Sequence, residues 1–292
     1  MNNQPLLFTI CNDKWAYGHL LRWYRYARLN SECRLGVILI SDNDKLVEEV
    51  TEQFDEVVVF PVEKDNRDFY NEVRLIAPKL FKESCIYDDC DSDVWSSLAD
   101  IMDGVEEIGC VGSPGHFKDW EKMGEGKKEN NNGFLVLNYS PERADEIANV
   151  YADCMKAATD ADSLKRVSGS IAFNIMLRGG LVKWTELPYA TSVIWWDDLA
   201  MIDAKVIQWC NDKGQAKRLL LEAEWANGGD HFREAADMVG DKPIVKDTEC
   251  ACGAKPEHIG DDSYEKWHRQ DCSMFDGDHP EICDNPTQGI PK

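Results

Sequence analysis

Residues 86–95 read IYDDCDSDVW, placing four carboxylates within six positions directly after a short apolar run. Aspartate is a poor strand former, and carboxylates at this density repel one another. Either a cation sits among them or they point freely into water. Asp89 and Asp91 stand two apart after a strand, Cys85–Tyr87, and can converge on one side with Cys90 turned inward. Asp88 and Asp93 then face the other way or cap a helix expected near Ser96–Met102. Mg²⁺ and Mn²⁺ prefer carboxylate oxygens, commonly one or two protein acids plus substrate phosphates. A D-x-D pair is common in sequences; a buried strand before it and a helix after it give this one its weight.

Outward from this stretch, strands alternate with helices. Phe8–Ile10, Leu35–Ile40 and Val57–Phe60 read as strands, separated by an aromatic helix from Trp15 to Leu29 and a second helix near Lys45–Phe54. The turn cluster Ser41-Asp42-Asn43-Asp44 precedes the second helix. An amphipathic helix over Asp68–Phe81 carries Arg74 and Lys79 and is expected to be interrupted at Pro78. Beyond the acidic stretch lie strands at Ile108–Val111 and Phe134–Leu137, joined by a long polar loop, Ser113 to Asn132, whose length suits a lid. Ser140-Pro141 opens a strong helix, with Ser as N-cap and Pro at its first position. This alternation argues an α/β fold with a largely parallel sheet, in which ligands bind at the carboxyl ends of the strands.

The 292 residues suffice for one large domain (1–240) plus an appendage (247–292). The opening MNNQPLLFTI lacks a basic region before an apolar run, and no stretch approaches a membrane span. A soluble, cytoplasmic protein is expected. With 54 acids against 32 bases the formal charge is −22, which disfavours a broad phosphate-tracking surface. Two small basic patches, Lys118–Lys128 and Lys213–Arg218, read as solvated loops. Seven of the eleven cysteines are dispersed through apolar or mixed segments, as reduced thiols are.

The segment CIYDDCDSDVWSSL resembles the strand-plus-DxD segment Y-L-D-A-D-x-x-V of GT-A-fold nucleotide-sugar glycosyltransferases, above all the glycogenin and lipopolysaccharide galactosyltransferase group. Further pieces follow in that group's order. FTICNDKWAYG is similar to the opening strand and loop that hold the nucleotide, with Thr9, Asp13 and Tyr17 at matching places. NEVRLIAPKLF resembles the helix that brings basic residues to the diphosphate or donor sugar, here Arg74 and Lys79. NNNGFLVLN resembles the strand lining the donor-sugar pocket, giving Asn132, Gly133 and Asn138. KVIQWCNDKGQAKR is a weakened form of a late motif in which a His completes the metal site and Gly and Lys grip phosphate. Gln208 stands where the His is expected, and Lys213 and Lys217 are the phosphate candidates. The segment 169–174 lacks the acid the group carries there, which leaves the stereochemical outcome open.

The resemblance implies a GT-A, Rossmann-like enzyme that moves a sugar from a UDP-sugar or similar donor, with Mn²⁺ or Mg²⁺ held by Asp89 and Asp91. Such an ion bridges the two phosphates and neutralises the leaving group. Asp197 and Asp198, after Trp195-Trp196, are the base candidates for an inverting reaction. The acceptor is a glycan or lipid-linked sugar first, then a protein or a modified base in viral DNA, in which case the enzyme works in host-cell cytoplasm. The tail gathers Cys250, Cys252, His258, His268, Cys272, His279 and Cys283. That composition suits structural Zn²⁺, with two disulfides or a loose tail as alternatives. Two other functions stay open: nucleotidyl transfer with the same carboxylates, and a catalytically degenerate, zinc-tailed interaction protein.

Overall fold

The computed structural model describes residues 4–113, 129–161, 168–195, 201, 203–210 and 213–219. Asp197, Asp198 and all seven tail Cys and His candidates lie outside the described residues, as does most of the polar loop.

The strand β1, Leu6–Asn12, is buried along Leu6–Cys11, as a central strand covered on both faces must be. It pairs in parallel with β2 (Arg34–Ile40) and β4 (Cys85–Asp88), and β2 pairs in parallel with β3 (Glu56–Phe60). β7 (Glu129–Leu137) runs antiparallel between β4 and β6 (Ile108–Ser113), and β6 pairs in parallel with β8 (Trp184–Leu187). Among the described residues the main sheet has the order β3-β2-β1-β4-β7-β6-β8. It is mostly parallel, with β7 reversed. A small second sheet joins β5 (Ser92–Val94), β9 (Ser192–Ile194) and β10 (Val206–Gln208) in the order β5-β10-β9.

Period-two alternation sends successive side chains to opposite faces. Leu6, Phe8 and Ile10 enter a core with Val73, Leu75, Tyr87, Leu135 and Ile147. Leu7 and Cys11 enter the other core, with Leu20, Trp23, Ile86, Phe134 and Val136. The helices start where short polar side chains cap them. Asn12 accepts from Trp15 N ahead of α1 (Asp13–Trp15), which continues through a π-helical turn (Ala16–Leu20) into α2 (Leu21–Asn30). Asn43 caps α3 (Asp44–Gln53), and Asn66 caps α4 (Arg67–Phe81). Ser140 Oγ accepts from Arg143 N at 3.4 Å at the start of α5 (Pro141–Ala161). α6 spans Ser168–Arg178.

Two expectations are corrected. Pro78 does not interrupt α4, which runs on to Phe81 and ends at Lys82 in the left-handed region. Pro78 sits three residues from the helix end, so it forfeits one backbone bond while its ring is buried. The helix expected at Ser96–Met102 does not form. Trp95 N donates to Lys205 O at 2.7 Å and Leu98 N to Ser31 O at 2.9 Å. Those long-range bonds leave only isolated turns, Ile101 to Leu98 and Asp103 to Asp100.

The first compact unit ends at Gln208 and the second begins at Trp209. In the second, residues 213–219 are helical and carry Lys213 and Lys217. No helix of the described residues is long and apolar enough to cross a membrane.

Candidate active site at the carboxyl end of β4

β4 delivers its residues alternately to the two faces. Asp88 goes into the core of Trp23: it is 0% exposed, and its Oδ2 accepts from Trp23 Nε1 at 2.7 Å. Burial pushes this carboxyl well up, while the hydrogen bonds from Ser92 and Trp23 work against the rise. Tyr87 and Asp89 take the other face. The Arg74 guanidinium stacks over the Tyr87 ring at 4.8 Å, and the Tyr87 hydroxyl donates to Asp89 Oδ1. Burial raises the Asp89 carboxyl, while Arg74 and the Tyr87 hydroxyl work against the rise.

A tight turn follows. Ser92 donates to Asp89 O from its backbone N at 3.1 Å and from its hydroxyl at 2.5 Å. Asp91 is half-buried, and burial, then the charge of Asp89, push its carboxyl up to about 7. Asp93 does not cap a helix: it is buried and paired with Arg22 Nε at 2.9 Å. Of the four acids, Asp89 and Asp91 thus hold charge that the fold leaves uncompensated in part. Among the described residues no group of three or more His, Cys, Asp or Glu is gathered for a metal.

The remaining partner arrives from an irregularity in β7. Pairing with β6 shifts between Cys110 and Val111, so β6 moves from Leu135 to Asn131 in one step. The extra residues pair with β4 instead, where Asp89 N donates to Gly133 O at 2.9 Å. Bulges of this kind re-aim side chains beside functional sites. A Cβ on Gly133 would lie 2.6 Å from Asp89 Oδ2 and 2.9 Å from Gln208 Oε1. Asp89 and Gln208 therefore converge over Gly133, in space that only glycine leaves open. Gln208 is held in place: its Oε1 accepts from Asn131 Nδ2 at 2.9 Å and its Nε2 donates to Ser192 Oγ at 2.8 Å. Both ends of the amide border the space over Gly133, the oxygen at 2.9 Å and the nitrogen at 3.1 Å from where a Cβ would stand.

The other candidates divide. Arg74 belongs to the cluster, but as a strut: Nη1 donates to Asn132 O at 2.7 Å and Nε to Tyr70 O. Asn132 takes part through its carbonyl. Asp13 opens α1 at the carboxyl end of β1, and Tyr17, 58% exposed, donates from its hydroxyl to Glu49 Oε2 at 3.1 Å. Thr9 is fully buried inside β1. Two candidates are not brought to the cluster. Lys79 forms an exposed ion pair with Asp145 at 2.6 Å, two residues from the end of α4. Asn138 follows Leu137, which lies opposite Cys85 at the far end of β4, and its Nδ2 donates to Val105 O. Because β7 is antiparallel, its carboxyl end points away from the site. Lys213 and Lys217 belong to the second unit.

Sequence reasoning missed Asn131 and Tyr87. Strand alternation could have found the first, since Asn131 shares a face with Gly133 whereas Asn132 does not.

No family model and no curated protein matches the chain. Solved structures do. A galactosyltransferase, LgtC, in complex with donor and acceptor sugar analogs has 14% identity and a TM-score of 0.57, over 83% of this chain and 99% of that one. An active-site mutant of LgtC gives 16% identity and 0.56 over the same shares. The glycosyltransferase GlyE of Streptococcus pneumoniae gives 12% identity and 0.50, over 72% of this chain and 55% of its own. At these identities the likeness is one of fold, and it bears out the GT-A architecture expected from the order of the motifs.

Proposed function

We propose that the chain, built on the fold of these glycosyltransferases, transfers a sugar from a nucleoside diphosphate sugar, UDP-linked in the first instance, to a hydroxyl acceptor. The observation that carries the reading is the pair Asp89 and Asp91. Both carboxyls stand above their ordinary range at the carboxyl end of a central strand, where open α/β sheets bind ligands. Two half-buried carboxylates with an amide oxygen beside them suit Mg²⁺ or Mn²⁺, which take oxygen ligands and leave positions for phosphate. Asp91, Asp89 and the Gln208 carbonyl would hold the ion. When bound, it supplies positive charge to the departing diphosphate.

The chain's own groups do the rest. The Tyr87 hydroxyl fixes one Asp89 oxygen and leaves the other directed over Gly133. Arg74, tied to Asn132 O, holds the bulged part of β7 against α4 and adds fixed positive charge beside Asp89. Gly133 keeps the space between Asp89 and Gln208 clear for a donor. A glycan or lipid-linked sugar is the acceptor class proposed.

The test is a panel of nucleotide sugars screened by thermal stabilisation with and without Mn²⁺, because selective binding raises apparent stability. A UDP-sugar should stabilise the chain in a Mn²⁺-dependent way, and Asp91→Ala should abolish that dependence. Slow donor hydrolysis with Mn²⁺ should accompany it. A shift unchanged in Asp91→Ala overturns the site. Pyrophosphate release from a nucleoside triphosphate would mark nucleotidyl transfer instead.

A further inference from the structure

The ladder between β4 and β7 stops at Asp88 opposite Phe134, with one more backbone bond from Asp89 N to Gly133 O. On its other edge β7 stays paired with β6 through Asn131, Asn130 and Glu129. Where β4 ends, side chains serve the backbone of β7 in its place. Arg74 Nη1 donates to Asn132 O at 2.7 Å. Two residues along the strand, Asn174 of α6 takes both backbone groups of Asn130. Its Oδ1 accepts from Asn130 N at 2.9 Å and its Nδ2 donates to Asn130 O at 3.3 Å. These are the two bonds that an opposite residue makes in a hydrogen-bonded strand pair. The other Nδ2 hydrogen goes to Ser170 O at 2.9 Å, so both amide hydrogens have acceptors.

Asn174 is buried, and Phe173, Met176 and Leu177 beside it on α6 are buried apolar side chains. Asparagine is a weaker helix former than leucine, so α6 by itself would be better served by an apolar residue there. The carboxamide supplies a grip on β7 instead. Backbone groups of successive strand residues point to opposite edges, so Asn174 accepts only a strand placed with Asn130, not Asn131, turned towards it. That selectivity matters here, because the β6–β7 pairing already jumps from Leu135 to Asn131. A slip by one residue would exchange the faces taken by Asn131 and Asn132.

We infer that Asn174 is a positioning residue of the candidate site, acting through the backbone of Asn130 to fix the bulge of β7. The effect on the cation rests on the proposed role of Asp89 and Gln208; the grip on β7 does not. Asn131, the next residue, donates from Nδ2 to Gln208 Oε1 at 2.9 Å and accepts at Oδ1 from Gly133 N at 2.8 Å. A displacement at Asn130 therefore passes directly to the amide that orients Gln208 and to the glycine that faces Asp89. Outer partners that orient metal ligands typically change metal affinity by about 10–100-fold when removed.

The experiment compares the full chain with Asn174→Ala, Asn174→Asp and Gly169→Ala. Gly169 lies in the same helix but faces Asn71 rather than β7. Mn²⁺ affinity in the presence of UDP is read from the electron paramagnetic resonance signal of the free ion, and amide hydrogen exchange is read over residues 129–133. Asn174→Ala should bind Mn²⁺ about 10–100-fold more weakly and exchange faster over 129–133. Asn174→Asp, which keeps an oxygen to accept from Asn130 N, should recover part of the loss. Gly169→Ala should lose stability while its folded fraction keeps wild-type Mn²⁺ affinity. Unchanged affinity in folded Asn174→Ala, or an equal loss in Gly169→Ala, overturns the positioning role. Should Asn174→Ala fail to fold, wild-type affinity and exchange in Asn174→Asp overturn it, and an intermediate loss supports it. Unchanged exchange over 129–133 overturns the grip on β7. If the wild type binds no Mn²⁺ with UDP present, the proposed cation site fails, while the exchange data still decide whether Asn174 holds the bulge.

Discussion

In the chain by itself, Asp91 faces the charge of Asp89 across one residue in a turn closed by Ser92. Its carboxyl stands at about 7 in the fold against an ordinary 3.8. Between those two values the native state holds the proton that the unfolded chain releases, so stability falls as pH rises through that window and the full cost is present above it. Asp91→Asn should therefore raise the unfolding free energy at about pH 8 by at least about 1 kcal/mol, with no gain near pH 4. Urea unfolding at the two pH values checks the sign, and Mn²⁺ should stabilise the wild type at pH 8 but not the variant. Asp88 makes the opposite kind of demand. It is a buried acid whose Oδ2 accepts from Trp23 Nε1 at 2.7 Å, with the Ser92 hydroxyl also beside it. Trp23→Phe should cost about 1–3 kcal/mol by orphaning that acceptor, whereas Trp23→Phe with Asp88→Leu should recover much of the loss, because two apolar partners leave nothing unsatisfied. A double-mutant cycle in urea measures the coupling.

Among the elements, β7 and α4 hold the site's shape. The bulge in β7 turns Gly133 towards Asp89 and leaves no room for a side chain. Gly133→Ala should keep the fold and lose the Mn²⁺-dependent shift, since its methyl would sit 2.6 Å from Asp89 Oδ2. Retention of that shift would mean that Asp89 and Gln208 do not converge on a shared ligand. Gly169 has a different part. A Cβ there would lie 2.5 Å from Asn71 Nδ2, wedging α6 away from α4. Gly169→Ala should destabilise the fold by about 1–3 kcal/mol, as overpacking does, with metal dependence retained in the folded fraction. The elements themselves were legible because their signals are local. Ser140 caps the helix that its position announces, and β1 and β2 are apolar along most of their length, Leu6–Cys11 of the one being interrupted only by Thr9 and Leu35–Ile40 of the other following Arg34. The helix expected after the acidic stretch failed since the bonds from Trp95 and Leu98 go to residues far away in sequence.

Over the whole molecule, 54 acids against 32 bases leave a formal charge of −22, which works against compaction through self-repulsion. Raising sodium chloride from low ionic strength to roughly 0.5 M should increase the melting temperature, because screening shortens the reach of that repulsion; an unchanged or falling value would show that attractive pairs outweigh it. The same field repels a diphosphate, which is why a cation among the acids carries such weight in the proposed mechanism. The alternation of apolar runs, the caps and the order of the short motifs are written in the chain, and they determined the α/β class, the sheet and the strand end at which the acids cluster. Tertiary structure alone decided which acids face one another. Asp88 and Asp93 are taken by Trp23 and Arg22, Asp89 and Asp91 stay available, and Gln208 meets Asp89 from a strand more than a hundred residues later. It also withdrew Lys79 to Asp145 and Asn138 to the far end of β7. Periodicity records only which face a residue takes, whereas convergence depends on register, strand direction and one bulge, and these are set by contacts between distant parts of the chain.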